Sequence, residues 1–376
     1  MIPFNKPYLT GKETEYIKDA VLNKGHISGN GYYTKKCQDF FRERYNIKKT
    51  LLTTSCTDAL EMSAILVDIK VGDEVIIPSY TFVSTANAFV LRGAKVVFAD
   101  SREDHPNIDE SKIESLITKK TKAIVVVHYA GVSCEMDTIM SIAKKYNLFV
   151  VEDAAQAFDS YYKGRALGSI GDLATFSFHE TKNIQCGEGG LLAINNSQFI
   201  KRSEVIWEKG TNRTAFFRGE INKYSWVDIG SSFLPSEILA AFLYSQLEQS
   251  KNIQSKRKFI LKQYLKGFKE INKLDVGLSY IPEYATNNAH MFYLVCRSAE
   301  ERIELITYLN KHNINAISHY VCLYDSPFYK DKHDGSEMPN AKRYEECLVR
   351  LPIYFELNEA EQLYIINFVL EFYSHR

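Results

Sequence analysis

Residues of three chemical types follow two apolar runs in the middle of the chain. The run 148–151 ends in Glu152 and Asp153, with Gln156 three residues further on, and the run 173–178 is followed by Lys182. A carboxylate, an amide and an amine in one pocket could hold a carbonyl cofactor, because the amine can bind the carbonyl carbon and the carboxylate can pair with a cationic ring nitrogen. On these residues alone, ordinary solvated side chains at two strand ends are the simpler interpretation.

Hydroxyl residues at the start of a predicted helix form a candidate anion site. The segment TTSCTDAL (53–60) places Ser55 and Thr57 just before the apolar positions Leu60, Ile65 and Leu66. Free N–H groups and hydroxyls at a helix start attract anions, most often phosphate. Simple capping of the helix needs the same residue types. The segment alone therefore favours neither interpretation.

Short apolar runs alternate with polar helical stretches from residue 74 onward. The runs are EVIIP (74–78), KVVFAD (95–100), AIVVVH (123–128), LFVVED (148–153), LATFSF (173–178) and GLLAI (190–194). This pattern predicts an α/β fold with a mostly parallel sheet covered by helices on both faces. Ligands bind at the carboxyl ends of such strands, and five of these runs end in polar residues or are followed directly by them. The chain length predicts two domains. Charged sequence near 248–258 indicates the boundary, which gives a large domain of residues 1–250 and a small domain of residues 251–376.

Composition and missing motifs exclude several classes of protein. The 376 residues carry 46 basic and 46 acidic side chains, so no nucleic-acid partner is indicated. The seven cysteines are scattered, without a C-x-x-C pair, and we predict reduced thiols and no metal site. No apolar run is long enough to span a bilayer and no signal core opens the chain, which predicts a cytoplasmic protein without a membrane partner. Dinucleotide, Walker, G-x-S-x-G and H-E-x-x-H motifs do not occur in the expected contexts.

The candidate residues match the needs of pyridoxal 5'-phosphate (PLP) chemistry. That cofactor requires a lysine, a carboxylate for its ring nitrogen, an anion site for its phosphate and a flat partner for its ring. Lys182 and Asp153 supply the first two, and Ser177, Ser55 and Thr57 are candidates for the third. Ser177 and Lys182 are at most about 17 Å apart along the chain. One strand and its loop can therefore serve both ends of one cofactor.

The chain resembles the fold type I, PLP-dependent sugar-nucleotide aminotransferases over essentially its whole length. The resemblance rests on IPFNKP (2–7), the S-x-T-x-A-L helix start, PSYTFVSTANA, VHYAG, VEDAAQ, SFHETKN followed by GEGG, and the late RLPIY. VEDAAQ and SFHETKN together are highly specific. RGAKVVFAD, HYAGVSCEMDTIM and EKGTNR further resemble the members that make dTDP-4-amino-4,6-dideoxygalactose for enterobacterial common antigen. The implied fold has a large PLP-binding domain and a smaller C-terminal α/β domain.

The resemblance implies a role for each matching residue of the cofactor site. Lys182 would bind the cofactor covalently and act as the catalytic base, Asp153 would pair with the ring nitrogen, and Gln156 would lie beside the ring oxygen. Phe82 would stack on the ring, although a core position is the alternative. The phosphate would be bound by Ser177, Ser55, Thr57 and the Asp58 backbone.

Candidate substrate contacts and a second subunit follow from the same resemblance. Five residues are implied to contact the substrate: His128, Tyr129, His319, Tyr320 and Arg213. Many relatives have GYNYRM where this chain has GSSFLP (230–235), so Ser232 replaces an asparagine that reaches the phosphate in the neighbouring subunit. A serine can still donate one hydrogen bond. The resemblance thus implies a homodimer with sites at the subunit interface.

The implied reaction is amino transfer from L-glutamate to C4 of dTDP-4-dehydro-6-deoxy-D-glucose. The product would be dTDP-4-amino-4,6-dideoxy-D-galactose, for surface polysaccharide such as enterobacterial common antigen. The alternatives are the equatorial product dTDP-4-amino-4,6-dideoxy-D-glucose (viosamine, found in O-antigen) and 3-amination of a 3-keto isomer. Some family members carry histidine in place of the lysine and remove a hydroxyl. Lys182 therefore favours transamination.

Overall fold

The computed structural model describes residues 1–374. Its helices are α1 (Glu13–Leu22), α2 (Tyr32–Tyr45), α3 (Cys56–Leu66), α4 (Val83–Val90), α5 (Glu110–Leu116), α6 (Met136–Tyr146), α7 (Ile200–Trp207), α8 (Arg213–Phe217), α9 (Glu237–Glu248), α10 (Ser250–Gly267), α11 (Ala299–Lys311), α12 (Pro339–Cys347) and α13 (Glu359–Ser374). Its strands are β1 (Lys49–Thr53), β2 (Glu74–Pro78), β3 (Lys95–Ala99), β4 (Thr121–Val127), β5 (Phe149–Asp153), β6 (Tyr161–Tyr162), β7 (Arg165–Ala166), β8 (Leu173–Ser177), β9 (Gly190–Ile194), β10 (Gly277–Leu278), β11 (Phe292–Val295) and β12 (Leu348–Leu351).

A seven-stranded sheet forms the centre of the larger part of the molecule, in the order β1-β9-β8-β5-β4-β2-β3. Six strands run in one direction, and β9 runs antiparallel to both of its neighbours, β1 and β8. The predicted mostly parallel sheet is confirmed, and each of the six predicted apolar runs forms a strand. The reversal of β9 brings its first residue, Gly190, to the edge at which the other strands end, opposite Ser177 and Thr53.

Helices cover both faces of this sheet because the buried strands are apolar on both sides. Alternate strand residues enter different cores: Val75 and Ile77 of β2 pack on one side, and Ile76 packs on the other. The first core includes side chains of α3 and α4, and the second includes side chains of α2, α6 and α9. This arrangement explains the lack of alternating polarity in the strand sequences.

A second, smaller sheet lies in the C-terminal part of the chain. Strands β10, β11 and β12 form it, and both pairings are antiparallel. Helices α10, α11 and α13 pack together around it. Helix α9 ends at Glu248 and α10 begins at Ser250. The segment 314–320 forms no strand and makes two isolated bridges, from Ile314 to Ile2 and from Ile317 to Arg350.

Candidate active site

One cavity of about 880 Å³ collects most of the predicted site residues. It opens where β5 and β8 end and where α3 begins, and residues of the C-terminal part close its other side. Nine predicted residues line it: Ser55, Thr57, Phe82, Asp153, Gln156, Ser177, Lys182, His319 and Tyr320. Lys182 therefore shares one cavity with residues that are as far apart in the sequence as Ser55 and Tyr320.

The Asp153 carboxylate is buried at the end of β5 and is held from two sides. Its Oδ2 accepts a hydrogen bond from Thr85 Oγ1 at 2.7 Å, and its Oδ1 accepts one from the Ala155 N–H at 3.1 Å. Burial raises the pKa of Asp153, and the two hydrogen bonds and the Lys182 charge oppose that rise only in part. A cation beside the carboxylate would favour its ionised form. A protonated ring nitrogen fits this position.

Lys182 lies in the loop after β8, five residues beyond Ser177. Its N–H donates to the His179 carbonyl at 2.8 Å, which shapes a tight turn there. Burial lowers the pKa of Lys182, although attraction to Cys56 and Asp153 counters that effect. A lysine that loses its proton more readily is a better nucleophile and a better base.

Hydroxyl groups surround the start of α3. Ser55 caps this helix by accepting a hydrogen bond from the Asp58 N–H at 3.0 Å. Thr57 Oγ1 lies 2.9 Å from Ser84 Oγ, and Ser177 stands at the end of β8. These hydroxyls and the positive end of α3 suit a phosphate. Ser84 was not predicted, although it lies in the quoted YTFVST motif at the first turn of α4.

Close contact between β9 and the start of α3 depends on glycine. A side-chain carbon built on Gly190 would overlap the Ser55 carbonyl group and the Cys56 nitrogen. Any other residue at this position would therefore displace the helix start that carries the hydroxyls. This close contact explains why the last residue of the GEGG segment is a glycine.

Two predicted ring contacts are placed at the cavity wall. Phe82 is 55% exposed, and its ring centroid lies 5.9 Å from that of Tyr320. The Gln156 side chain is fixed at both ends: its Oε1 accepts from the Ala130 N–H at 2.7 Å, and its Nε2 donates to Tyr320 Oη at 3.1 Å. An exposed aromatic face and an oriented amide can both contact a flat ring.

The structure corrects the placement of two predicted sugar contacts, His128 and Tyr129. His128 is completely buried, with its Nε2 2.9 Å from Glu152 Oε2 and its Nδ1 accepting from the Cys134 N–H at 3.2 Å. Tyr129 is 2% exposed, and its hydroxyl donates to the His319 carbonyl at 3.3 Å. Neither residue lines the cavity, because both nitrogens of His128 are engaged inside the protein and Tyr129 lies beneath the 319–320 segment.

Three other predicted residues also lie outside the lining. The Asp58 carboxylate accepts a hydrogen bond from the Thr54 hydroxyl, and its N–H is engaged by Ser55. Ser232 is exposed and pairs through its backbone with Glu208. Arg213 is exposed, with its guanidinium 5.0 Å from the Phe217 ring centre. Within one chain, Ser232 and Arg213 thus stand apart from Lys182.

The cavity lining also includes polar and charged residues that sequence reasoning missed, among them His290 and Arg350. His290 is buried, with its Nδ1 3.1 Å from Asn183 Oδ1, and burial holds its pKa far below the usual histidine range. Arg350 belongs to the quoted RLPIY motif, to which no role was given. The arginine at the start of this motif was the available signal.

Fold and cavity together define a class of enzyme. A buried carboxylate, a lysine of lowered pKa, a hydroxyl-rich helix start and an exposed aromatic ring meet in one space, and each suits one part of PLP. The residues present therefore fit this cofactor. The molecule has the architecture of a fold type I PLP-dependent enzyme.

Comparison with known proteins indicates the same class of enzyme and identifies one family within it. The model of the DegT/DnrJ/EryC1/StrS aminotransferase family matches residues 8–370. GDP-perosamine synthase from Escherichia coli O157:H7 is 33% identical over 382 residues, covering 100% of this chain and 99% of its own. The spore coat polysaccharide biosynthesis protein SpsC from Bacillus subtilis (strain 168) is 32% identical, covering 96% and 94%. The PMP form of Spr1654 from Streptococcus pneumoniae superimposes with a TM-score of 0.91 at 27% identity, with both chains fully covered, and its PLP form is similar too.

The chain belongs to the DegT/DnrJ/EryC1/StrS aminotransferase family. It is a PLP-dependent sugar aminotransferase that acts on a nucleotide sugar with an amino donor. Within residues 1–374, no helix combines the length and the apolar character that crossing a membrane requires.

Proposed function

We propose that the protein transfers the amino group of L-glutamate to C4 of dTDP-4-dehydro-6-deoxy-D-glucose and releases dTDP-4-amino-4,6-dideoxy-D-galactose. The observation that carries transamination is the presence of Lys182 and Asp153 in one cavity, beside a hydroxyl-rich helix start. The choice of sugar is supported by the segments RGAKVVFAD, HYAGVSCEMDTIM and EKGTNR. Synthesis of a surface polysaccharide is the role that such a product would serve.

The proposed roles of the side chains follow from their surroundings. Bound PLP would supply a carbonyl group that can carry the amino group from donor to acceptor and a ring that can accept electrons. Lys182 would hold the cofactor and would move the proton at the reacting carbon. Asp153 stabilises positive charge on the ring nitrogen, and Thr85 fixes the carboxylate in place. Ser55, Thr57, Ser84 and Ser177 bind the phosphate.

A guanosine-linked sugar is the competing substrate. GDP-perosamine synthase aligns with the whole of this chain at 33% identity. This similarity is the observation that favours a GDP-linked sugar. The equatorial 4-amino-glucose product and 3-amination of a 3-keto isomer are further outcomes, since each needs the same Lys182 chemistry. These candidates differ in the sugar that occupies the cavity and in the face of the cofactor that it meets.

We further propose that a second subunit completes each site. Ser232 and Arg213 are exposed and stand outside their own chain's cavity, and the same stretch exposes Phe217 (69%) and Trp226 (81%). Exposed aromatic side chains of this size are typical of protein interfaces. In a homodimer, Ser232 would donate to the phosphate held by the partner. The division into domains 1–250 and 251–376 belongs to the same proposal.

The deciding experiment is a product analysis with purified protein, PLP and L-glutamate. dTDP-4-dehydro-6-deoxy-D-glucose and its GDP-linked counterpart are offered separately, and NMR of the product identifies the aminated carbon and its configuration. We expect amination at C4 with the axial configuration, from the dTDP-linked sugar. Lys182→Ala should abolish turnover and borohydride fixation of the cofactor, whereas the surface variant Lys201→Ala should match the wild type. Full turnover by Lys182→Ala would falsify the assignment.

A further inference from the structure

Arg350 is a buried cation in the Lys182 cavity and has no acidic partner. It lies on β12, is 7% exposed and lines the cavity together with Lys182. Across residues 1–374, no ion pair joins its guanidinium to an aspartate or a glutamate. One Nη donates to His319 Nδ1 at 2.8 Å, and the Phe4 ring centre lies 4.7 Å from the guanidinium carbon. Its Nε–H is buried without a hydrogen-bond partner.

A second buried arginine shows what a purely structural guanidinium looks like in this protein. Arg257 is 4% exposed, and its Nε and Nη2 donate to the carbonyl oxygens of Ala289 and His290 at 3.0 and 2.9 Å. Arg257 does not line the cavity. Burying a charge is costly unless it is paired and hydrogen-bonded. Of these two buried arginines, Arg350 is therefore the one with hydrogen-bonding capacity left over, and that capacity suits an anion.

The position of Arg350 selects among the anions of a transamination. Arg350 and Lys182 line the same cavity, and the charge of Arg350 adds to the effect of burial in lowering the pKa of Lys182. In an α-amino acid, one carbon joins the amine to the carboxylate. A donor whose amine reaches the Lys182 position must therefore place its carboxylate within a few ångströms. The diphosphate of a nucleotide sugar is attached at C1, on the far side of the ring from a reacting C4.

His319 and Phe4 hold the guanidinium where a carboxylate could meet it. Burial and the charges of Arg350 and Lys182 lower the pKa of His319 to about 4, so its Nδ1 is free to accept a hydrogen bond at neutral pH. The His319 carbonyl accepts hydrogen bonds from the Tyr80 and Tyr129 hydroxyls, and these bonds fix the backbone at His319. A rigid arginine can bind a planar carboxylate through two parallel N–H groups.

We propose that Arg350 binds the α-carboxylate of the amino-acid donor. This inference rests on the proposed transamination and adds the residue that selects α-amino acids over simple amines. The charge of the carboxylate neutralises a guanidinium that the protein itself leaves unpaired. The nucleotide diphosphate is the other possible source of an anion, and the experiment separates the two.

The test compares the two half-reactions of the PLP-loaded enzyme in the wild type, Arg350→Gln and Arg350→Lys. The donor half-reaction is started with L-glutamate or with 4-aminobutanoate, which is glutamate without its α-carboxylate. In Arg350→Gln we expect kcat/KM for L-glutamate to fall about 100-fold, while the rate with 4-aminobutanoate stays within about threefold. The half-reaction of the PMP form with the keto sugar should also stay within about threefold. Arg350→Lys should lose about 10-fold with glutamate.

A binding measurement supplies a readout besides turnover. Maleate should raise the unfolding temperature of the wild-type holoenzyme and of the surface variant Arg343→Gln, but not that of Arg350→Gln. If Arg350→Gln does not fold, Arg350→Lys carries the test through its glutamate preference alone. Equal losses with glutamate and 4-aminobutanoate, or weakened use of the nucleotide sugar alone, would overturn the inference. Failure of the wild type with every amino donor would instead overturn the proposed function.

Discussion

Burial favours the neutral forms of both Lys182 and Asp153. The pKa of Lys182 is lowered and that of Asp153 is raised, and in both cases loss of water around the charge is the largest cause. Their mutual attraction counters this effect only in part. The two pKa shifts affect catalysis differently. A less basic lysine attacks a carbonyl more readily, whereas Asp153 needs a cation beside it to remain an ionised carboxylate.

The Lys182 shift predicts how the stability of the cofactor-free protein depends on pH. Between the lowered folded pKa and the ordinary value of 10.5, the unfolded chain binds more protons than the folded chain, so the free energy of unfolding rises with pH. Lys182→Met removes this contribution. We therefore expect the stability of the wild type relative to Lys182→Met to increase with pH between the lowered folded pKa and 10.5 and to level off above it. Denaturant unfolding of both cofactor-free proteins at several pH values measures the difference, and a pH-independent difference would contradict the shift.

At the scale of the elements, the strands could be predicted because their burial on both faces leaves an unbroken apolar signal. β2 and β9 have the bounds of the predicted runs EVIIP and GLLAI. Which side of a strand end faces the cavity could not be predicted, because neighbouring residues point to opposite faces. Val127 lines the cavity while His128 turns inward to Glu152, and Asp153 faces the cavity while Glu152 does not. The direction of β9 also depends on pairing across the sheet.

Among the cavity residues from the C-terminal part, His319 and Tyr320 were predicted, whereas Arg350 was not. Arg350 lies in a strand of only four residues, and its position beside Lys182 results from packing between elements that are far apart in sequence. The sequence shows the RLPIY motif, but it does not show that the guanidinium lacks an acidic partner. That property needs the positions of all surrounding carboxylates.

The start of α2 is held by a carboxylate from another helix. Glu237, in the first turn of α9, is 1% exposed and accepts hydrogen bonds from the N–H groups of Gly31, Tyr33 and Thr34 at 2.9, 2.6 and 3.1 Å. The Thr34 hydroxyl donates to the same carboxylate. These N–H groups belong to the helix start, where no partner exists within the helix itself. Glu237 therefore fixes the glycine-rich loop 25–31 to the body of the protein.

Removing this carboxylate should destabilise the fold measurably. Glu237→Ala leaves several buried donors without an acceptor, and we expect a loss of about 2–3 kcal/mol in the free energy of unfolding. Glu237→Gln keeps one acceptor oxygen and should lose less. Glu359→Ala, an exposed first-turn acid of α13, serves as the control and should change stability by no more than about 0.5 kcal/mol. Chemical denaturation measures all three variants, and a Glu237→Ala protein as stable as the control would refute the role of this cap.

At the scale of the whole molecule, the proposed dimer gives each active site two sources of residues. Lys182 lies in the cavity of its own chain, whereas Ser232 is exposed outside it, near the exposed Trp226. If Ser232 serves the partner's cavity, a defect at Lys182 and a defect at Ser232 disable different sites of a mixed dimer. A single chain that contained a complete site could not show this behaviour.

Mixing two inactive variants therefore tests the shared site directly. We choose Lys182→Ala and Ser232→Glu, because a glutamate at position 232 would repel the cofactor phosphate. After subunit exchange at equal concentrations, about half of the dimers are mixed, and each mixed dimer has one site with neither defect. We expect amination to recover to about a quarter of the wild-type rate, although each variant alone is nearly inactive. A mixture of Lys182→Ala with cofactor-free Lys182→Met should recover nothing. No recovery in the first mixture, with exchange verified by differently tagged chains, would place the whole active site within one subunit.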